Sequence, residues 1–498
     1  MTLWDLIATA AHEHPDRVLF SDDYGRSLTT EQFRDAAERV AAGLRLRTGQ
    51  VVSWQLPTVL EAPVLLAALA RVGVVQNPLV AILRESEIGL ITRQVSPELL
   101  IVPRVWRGFA HGDMVRGLDA EVVGLDLEAL GSGRAELRLP MGDPATLPPP
   151  PTDPTEVRWL YFSSGTTAAP KGAQHTDLSV IASSSALTDA LGLGDGDVYP
   201  IAWAYPHIGG ASVTAAILRR GGRLVLFDSF DPAATVERMA VHRPTVLGSA
   251  TPFFRAYLDA QHRKASDPLF PALRAFVNGG AAIPPDMIDE LAGTFGVRHL
   301  SNSWGLTEFP CATALAGDDP GAKVGTVGRP ASGVRVRVVD GELRLQGPQC
   351  FAGYLDSTLD AAAFDADGWF RTGDLGTLDA GFVSVAGRLK EIIIRNAENI
   401  SALEVENALR RHRDVVDAAV VGVPDARTGE RVCAVLVTRP GVELTLKDIA
   451  AHCRIEGLAR YKTPEQLETV TALPRNAMGK VLKQQLQAHI GQGGDGPR

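Results

Sequence analysis

Tyr161 to Gly172 reads YFSSGTTAAPKG. A strand-like apolar run ends, and the chain passes at once through Ser163, Ser164, Gly165, Thr166 and Thr167 to Pro170 and Lys171. Hydroxyls and closely spaced backbone N–H groups in such a run can wrap an oligophosphate, with Gly165 permitting the tight backbone and Lys171 adding a cation. The spacing is not that of a Walker A loop, because Pro170 stands before the lysine and Gly172, not Ser or Thr, after it. Read alone, the stretch is either a phosphate cradle or an ordinary polar loop, and the flanking sequence has to decide.

Upstream, helical and strand-like patterns alternate. Thr30 to Leu44 places Phe33, Ala36, Ala37, Val40 and Leu44 at helical spacing. Val51 to Leu56 and Leu99 to Val102 read as short strands, and Ala62 to Val72 as a buried helix. Leu147 to Pro154 (LPPPPTDP) excludes helix and central strand; we read it as a surface crossing within one large domain. Val157 to Phe162 then reads as a strand and Asp177 to Leu191 as a helix. Such βα alternation predicts parallel sheet with covering helices. From Gly333 the texture turns β-rich, with Asp340-Gly341 as a hairpin turn, and a β subdomain is expected to about Val385. Ser401 to Arg411 predicts a helix with Ser401 and Glu404 at capping-box spacing. Val415 to Val423 and Val432 to Thr438 read as strands and Leu446 to Cys453 as a helix. The Gly-rich Gly491 to Arg498 is expected to be disordered.

The chain has 498 residues and 45% hydrophobic composition, ample for a core, so whole-chain disorder is excluded. Its 49 basic and 58 acidic residues leave a net charge of −9, which argues against a general nucleic-acid binder. Cys311, Cys350, Cys433 and Cys453 form neither a CxxC pair nor a zinc spacing, so a disulfide scaffold is not expected and a reducing cytosol fits best. The N-terminus lacks a signal-peptide layout, and the apolar runs are too short to span a bilayer. A cytoplasmic protein without integral membrane contact is expected.

Further motifs continue the argument downstream. They are Tyr205-Pro206-His207, Asn278-Gly279-Gly280-Ala281, Ser303-Trp304-Gly305-Leu306-Thr307-Glu308, Trp369-Phe370-Arg371-Thr372-Gly373-Asp374, Gly387-Arg388-Leu389-Lys390 and Pro474-Arg475-Asn476-Ala477-Met478-Gly479-Lys480. Together with SSGTTAAPKG they resemble, in order and over essentially the whole chain, the adenylate-forming superfamily of acyl-CoA synthetases, peptide-synthetase adenylation domains and luciferases, most of all the carboxylic-acid CoA ligases. The resemblance implies an α/β fold: a large N-terminal domain, 1–388, of parallel and mixed sheets with covering helices and a β subdomain, and a small mobile α+β domain, 389–498.

The same resemblance implies roles. Ser163, Ser164, Gly165, Thr166, Thr167 and Lys171 would bind the phosphates of ATP. Gly279, Gly280 and Ala281 would lie along the adenine and the acyl pocket, joined by Ser303, Trp304 and Gly305. The aromatic face of Trp304, where the family usually has Tyr, can stack on adenine. Thr307 can hydrogen-bond the α-phosphate, and Glu308, with Thr167, would hold Mg²⁺. Asp374 suits the ribose hydroxyls, and Arg388 would reach ribose or phosphates. Lys390 would be the hinge and Lys480 the catalytic lysine; Lys483, three residues on, is not. His207 would gate the acyl pocket, where the small residues Gly209, Gly210 and Ser249 leave volume for the acid. Arg395, Asn396 and Ala397 would border the coenzyme A channel, with Asn396-Ala397 standing where the family has two glycines.

The expected reaction is ATP- and Mg²⁺-dependent activation of a carboxylic acid as an acyl-adenylate, then transfer to coenzyme A. Transfer to an amine or to a carrier-protein thiol stays open as an alternative, and a non-catalytic nucleotide-binding regulator is the remote one. A homodimer is compatible with the sequence.

Overall fold

The computed structural model describes the chain except residues 128–129, 131–135, 164–169, 265–266, 280–282, 284, 298, 317–325, 397, 426, 477–478 and 493–498. Of Ser163 and Ser249 only the backbone is described. The expected α/β class is what the structure shows.

Parallel pairing organises the first half. Glu121–Leu125, Leu99–Pro103, Val51–Gln55, Val75–Leu79 and Val157–Ser163 run parallel side by side, and Lys171–Thr176 and Gly353–Tyr354 extend the same sheet antiparallel. Strand Val157–Ser163 thus joins a sheet begun before Leu147–Pro154, which makes the proline run a crossing within one unit, as the sequence predicts. Among the described residues a second sheet carries Val246–Ser249, Ala275–Gly279 and Leu300–Trp304 in parallel. A third, antiparallel, holds Arg335–Val339, Glu342–Gln346, Phe370–Asp379 and Phe382–Arg388. Its first hairpin turns at Asp340 and Gly341, whose φ values of 52° and 80° are the left-handed pair that an Asp-Gly turn supplies.

Local chemistry sets several boundaries. Helix Asp177–Leu191 starts at Thr176, whose hydroxyl accepts from Ser179 N–H, and stops at Gly192 in the left-handed region. Helix Ala402–Arg410 keeps half of its expected capping box: Ser401 accepts from Glu404 N–H, but the Glu404 carboxylate is held instead by Lys462 Nζ at 2.7 Å. The last sheet gathers Glu398–Ser401, Ile392–Arg395, Gly429–Thr438, Val415–Asp425 and Gln466–Thr469. Helix Lys483–Gln492 follows and takes in Gly491 and Gln492, which the sequence reading places in a disordered tail; residues 493–498 lie outside the described set. Among the described residues no helix is long and apolar enough to cross a membrane. The four cysteines are unpaired, as expected.

Glu61, at the start of the fully buried helix Glu61–Val72, is itself fully buried. Its carboxylate takes both terminal nitrogens of Arg26, at 2.7 and 3.0 Å, while Arg26 Nε donates to Asp22 at 2.7 Å. Removing one member of such a group strands a charge without water. Glu61→Gln should therefore lower unfolding free energy by about 3–5 kcal/mol, read from urea denaturation; a loss within about 0.5 kcal/mol would show that the group is not structural.

Candidate active site

The expected site residues come from the carboxyl ends of strands, where open α/β sheets bind ligands. Ser163, Ser249, Gly279 and Trp304 each close a parallel strand. Ser163 pairs with Lys171, so the two strands bracket the hydroxyl-rich loop. Ser164, Gly165, Thr166 and Thr167, with Gly280, Ala281 and Ala397, lie outside the described residues.

Gly305, Thr307 and Glu308 share a tight turn closed by reciprocal backbone bonds between Leu306 and Phe309. A Cβ on Gly305 would stand 2.5 Å from Cys311 N, so this closeness requires glycine. Ser303, just before it, donates its hydroxyl to Thr313 O at 2.9 Å. Two residues that the motif reading passed over fix the turn. His175 is fully buried, and its Nε2 meets the Thr307 carbonyl at 2.8 Å; burial pushes its pKa down to about 4, so the ring is neutral and Nε2 carries the proton. Tyr354 donates its hydroxyl to Glu308 Oε1 at 2.8 Å and offers its ring to Lys171 Nζ, 5.3 Å from the centroid. Its signal was Gly353-Tyr354, a two-residue strand pairing beside Ala173 and Gln174.

Asp374 and Arg388 face each other across paired strands. Arg388 Nε stands 3.0 Å from Asp374 Oδ1, and Trp304 Nε1 donates to Asp374 Oδ2 at 2.8 Å. Trp304 is buried in one hydrophobic cluster with Phe309, Leu343 and Tyr354. The predicted nucleotide platform thus also has a hydrogen bond that the sequence did not reveal. Burial raises the Asp374 pKa, against the pull of Arg388.

Lys480 reaches this centre from the other end of the chain. Its loop is closed by Asn476, whose side chain accepts from Lys480 N–H at 2.9 Å, and Gly479 approaches Pro252. Burial, then Arg388 and Lys390, lower the Lys480 pKa to about 8, while Glu391 and Asp374 oppose them. Burial, Arg388 and Lys171 act alike on Lys390. Lys483, discounted from the sequence, forms ion pairs with Glu391 at 2.9 Å and Glu406 at 2.7 Å and stands outside this group of cations.

His207 caps helix Ile208–Arg220: its Nδ1 accepts from Gly209 N–H at 3.2 Å, and burial lowers its pKa to about 4. With Thr307, Tyr161, Phe162, Pro78, Leu79, Val80, Leu83, Pro206 and Ile208 it lines a cavity of about 50 Å³. Gly210 has a different reason to be small from the one expected. A Cβ there would lie 2.0 Å from the Tyr205 carbonyl oxygen, so the missing side chain serves backbone packing and leaves no open volume. Arg395 is held by Glu465 through two bonds of 2.7 and 2.8 Å, and Asn396 takes φ 50°.

Residues 7–355 match the AMP-binding enzyme family and 404–480 the AMP-binding enzyme C-terminal domain. The chain belongs to this family. It is 32% identical to the medium-chain fatty-acid–CoA ligase of Escherichia coli (strain K12), over 98% of this chain and 90% of that one. It is 33% identical to the sulfoacetate–CoA ligase of Cupriavidus necator, over 98% of both. Among solved structures, ATP-bound MatB from Rhodopseudomonas palustris superposes with a TM-score of 0.85 at 25% identity, over 99% of each chain.

Gly210→Ala should cost about 1–3 kcal/mol of stability through the clash with Tyr205, measured by urea unfolding. A variant as stable as the parent would restore Gly210 as a source of pocket volume.

Proposed function

We propose that the chain joins a carboxylic acid to ATP as an acyl-adenylate, then passes the acyl group to the thiol of coenzyme A. The observation that carries this reading is that the buried Asp374 is bonded to Trp304 at a strand end and paired with Arg388, with the half-buried Lys480 of the C-terminal loop within electrostatic reach of both Asp374 and Arg388. A carboxylate is a poor electrophile because its leaving group would be oxide. Its oxygen attacks the α-phosphorus, pyrophosphate leaves, and the product carries AMP as leaving group. Negative charge grows on the α-phosphoryl oxygens during attack, and Lys480 and the Thr307 hydroxyl offset it. His175 keeps Thr307 in place, Lys171 faces the departing phosphates, and Asp374 with Arg388 takes the ribose.

Mg²⁺, carried with the nucleotide, neutralises phosphate charge when bound. Glu308 is the residue to hold it: a buried carboxylate, oriented by Tyr354, is the oxygen donor this ion takes, and the phosphates supply the others. Thr167, the second ligand expected, lies outside the described residues.

For the second step, the domain after Arg388 turns about Lys390, withdraws Lys480 and brings the hairpin at Asn396 to the acyl-adenylate, where the thiol displaces AMP. Asn396 supports the thiol reading over the amine one. Its φ of 50° keeps the left-handed backbone that a glycine would give at position 396. The cavity beside His207, at about 50 Å³, is too small to enclose an acid, so only the character of its lining bears on the choice. None of its described lining residues is charged and most are apolar, which suits an acid with an uncharged, apolar body. The two relatives named above act on very different acids, so hydroxamate trapping across aliphatic, aromatic and sulfonated acids is the test. Preference for the sulfonated acid would overturn the assignment.

Lys480→Ala should slow adenylate formation by two to three orders of magnitude (roughly 3–4 kcal/mol), yet leave thioester formation from supplied acyl-adenylate and coenzyme A near normal. Equal loss in both halves would rule out domain alternation.

The same lysine predicts a pH dependence. Its charged form is the active one, and its pKa is lowered to about 8, so kcat/KM for ATP should fall as pH rises through 8. Bound phosphates favour the ammonium, so the matching limb of kcat should lie at higher pH. Lys480→Arg, whatever its residual rate, should lack this alkaline limb; a limb that persists in the variant belongs to another group.

A further inference from the structure

The Trp304 indole N–H has no counterpart in the tyrosine that the family usually carries, and its partner is the one carboxylate assigned to the ribose. Trp304 Nε1 donates to Asp374 Oδ2 at 2.8 Å, and Trp304 and Asp374 are only 8% and 2% exposed. The backbone beneath the carboxylate is fixed as well. Asp374 N–H donates to the Thr372 hydroxyl at 3.0 Å, and that hydroxyl donates to Leu343 O at 2.6 Å. What remains to the carboxylate is rotation about its two side-chain bonds, which the indole restrains.

The two oxygens are therefore unequal. Oδ2 is committed to the indole. Oδ1 is buried and, among the described residues, accepts no hydrogen bond, although Arg388 Nε forms an ion pair with it at 3.0 Å. A buried carboxylate oxygen that accepts no hydrogen bond is costly, and a ligand hydroxyl is a group that can donate to it. A tyrosine at 304 would carry its donor at the far tip of the ring, and phenylalanine would carry none.

We infer that Trp304 divides the Asp374 carboxylate, holding Oδ2 and presenting Oδ1 alone, so that this chain reads the nucleotide sugar through one hydroxyl instead of two. Trp304 is on this account a positioning residue that sets sugar specificity through Asp374. The inference rests on the reading that Asp374 faces the ribose.

The test is pyrophosphate release with ATP, 2′-deoxy-ATP and 3′-deoxy-ATP, using the full-length chain, Trp304→Phe and Asp374→Asn. The parent enzyme should lose about tenfold or more in kcat/KM with one deoxynucleotide and no more than about threefold with the other, since a site built to bond a hydroxyl rejects the analogue lacking it. In Trp304→Phe the carboxylate is free to turn, and the two penalties should converge to within about threefold of each other. The change should appear in KM for the nucleotides more than in kcat, because the sugar is remote from the bonds that change. A merely structural tryptophan would, when replaced, scale all three nucleotides by one factor, and that result overturns the inference. So does a parent enzyme that penalises both deoxynucleotides alike. The parent profile decides the matter should Trp304→Phe not fold. Failure of the underlying reading looks different: Asp374→Asn would then keep the parent's KM for all three nucleotides.

Discussion

Asp374 carries a carboxylate into a place where water cannot reach it, and the rest of the site is arranged around that fact. Burial alone would favour the neutral acid, and a lone ionised carboxylate at such depth costs several kcal/mol. The compensation comes from parts of the chain far apart in sequence. Trp304 belongs to a different sheet, Arg388 to the neighbouring strand, and Lys480 to the loop before the last helix. Each acts in part through the others, because removing one leaves the carboxylate less supported and the remaining cations less neutralised. The carboxylate is thus a tie between two sheets and the C-terminal loop.

That tie is electrostatically incomplete. Burial lowers the pKa values of Lys390 and Lys480, and neighbouring cations add to it: Arg388 acts on both, Lys171 on Lys390 and Lys390 on Lys480. Glu391 does not balance them in full, because Lys483 already neutralises it; that lysine and the other nearby cations hold the Glu391 pKa down against its burial. The protein thus holds cations in place before any anion arrives. Such preorganisation makes a polyanionic ligand favourable and leaves no reorganisation to be done when charge develops in the reaction. Two lysines three residues apart nonetheless differ. Lys483 has two carboxylates and its pKa is raised, whereas the Lys480 pKa is lowered by burial above all, with Arg388 and Lys390 set against Glu391 and Asp374.

What the sequence showed follows from range. Helix Asp177–Leu191 and the Asp340-Gly341 turn were legible to the residue because caps and turn φ values are decided within a few positions. The motif residues were picked out through their resemblance to the family's motifs, each confined to a few consecutive positions. The supporting contacts were not. Trp304 and Asp374 are 70 residues apart, and His175 and Thr307 132 apart. Even the Ser401 capping box failed at long range, where Lys462 claims the Glu404 side chain. Gly210 shows the same limit from the other side: its sequence suggests spare volume, but the carbonyl of Tyr205 fills the place.

Asn396 marks where a departure from a motif need not be a departure in structure. The expected glycine is valuable for its left-handed backbone, and among side-chain-bearing residues asparagine visits that region most readily. Here it sits at φ 50°, its N–H bonded to Thr428 O at 2.8 Å, in a hairpin where Arg395 pairs with Glu398. Glu465 fixes Arg395 from outside the hairpin with two further bonds. Position 396 therefore keeps the left-handed backbone that glycine would give while gaining a side chain. On the proposed reading, in which this hairpin borders the coenzyme A channel, the Asn396 side chain bears on how much room the acceptor has.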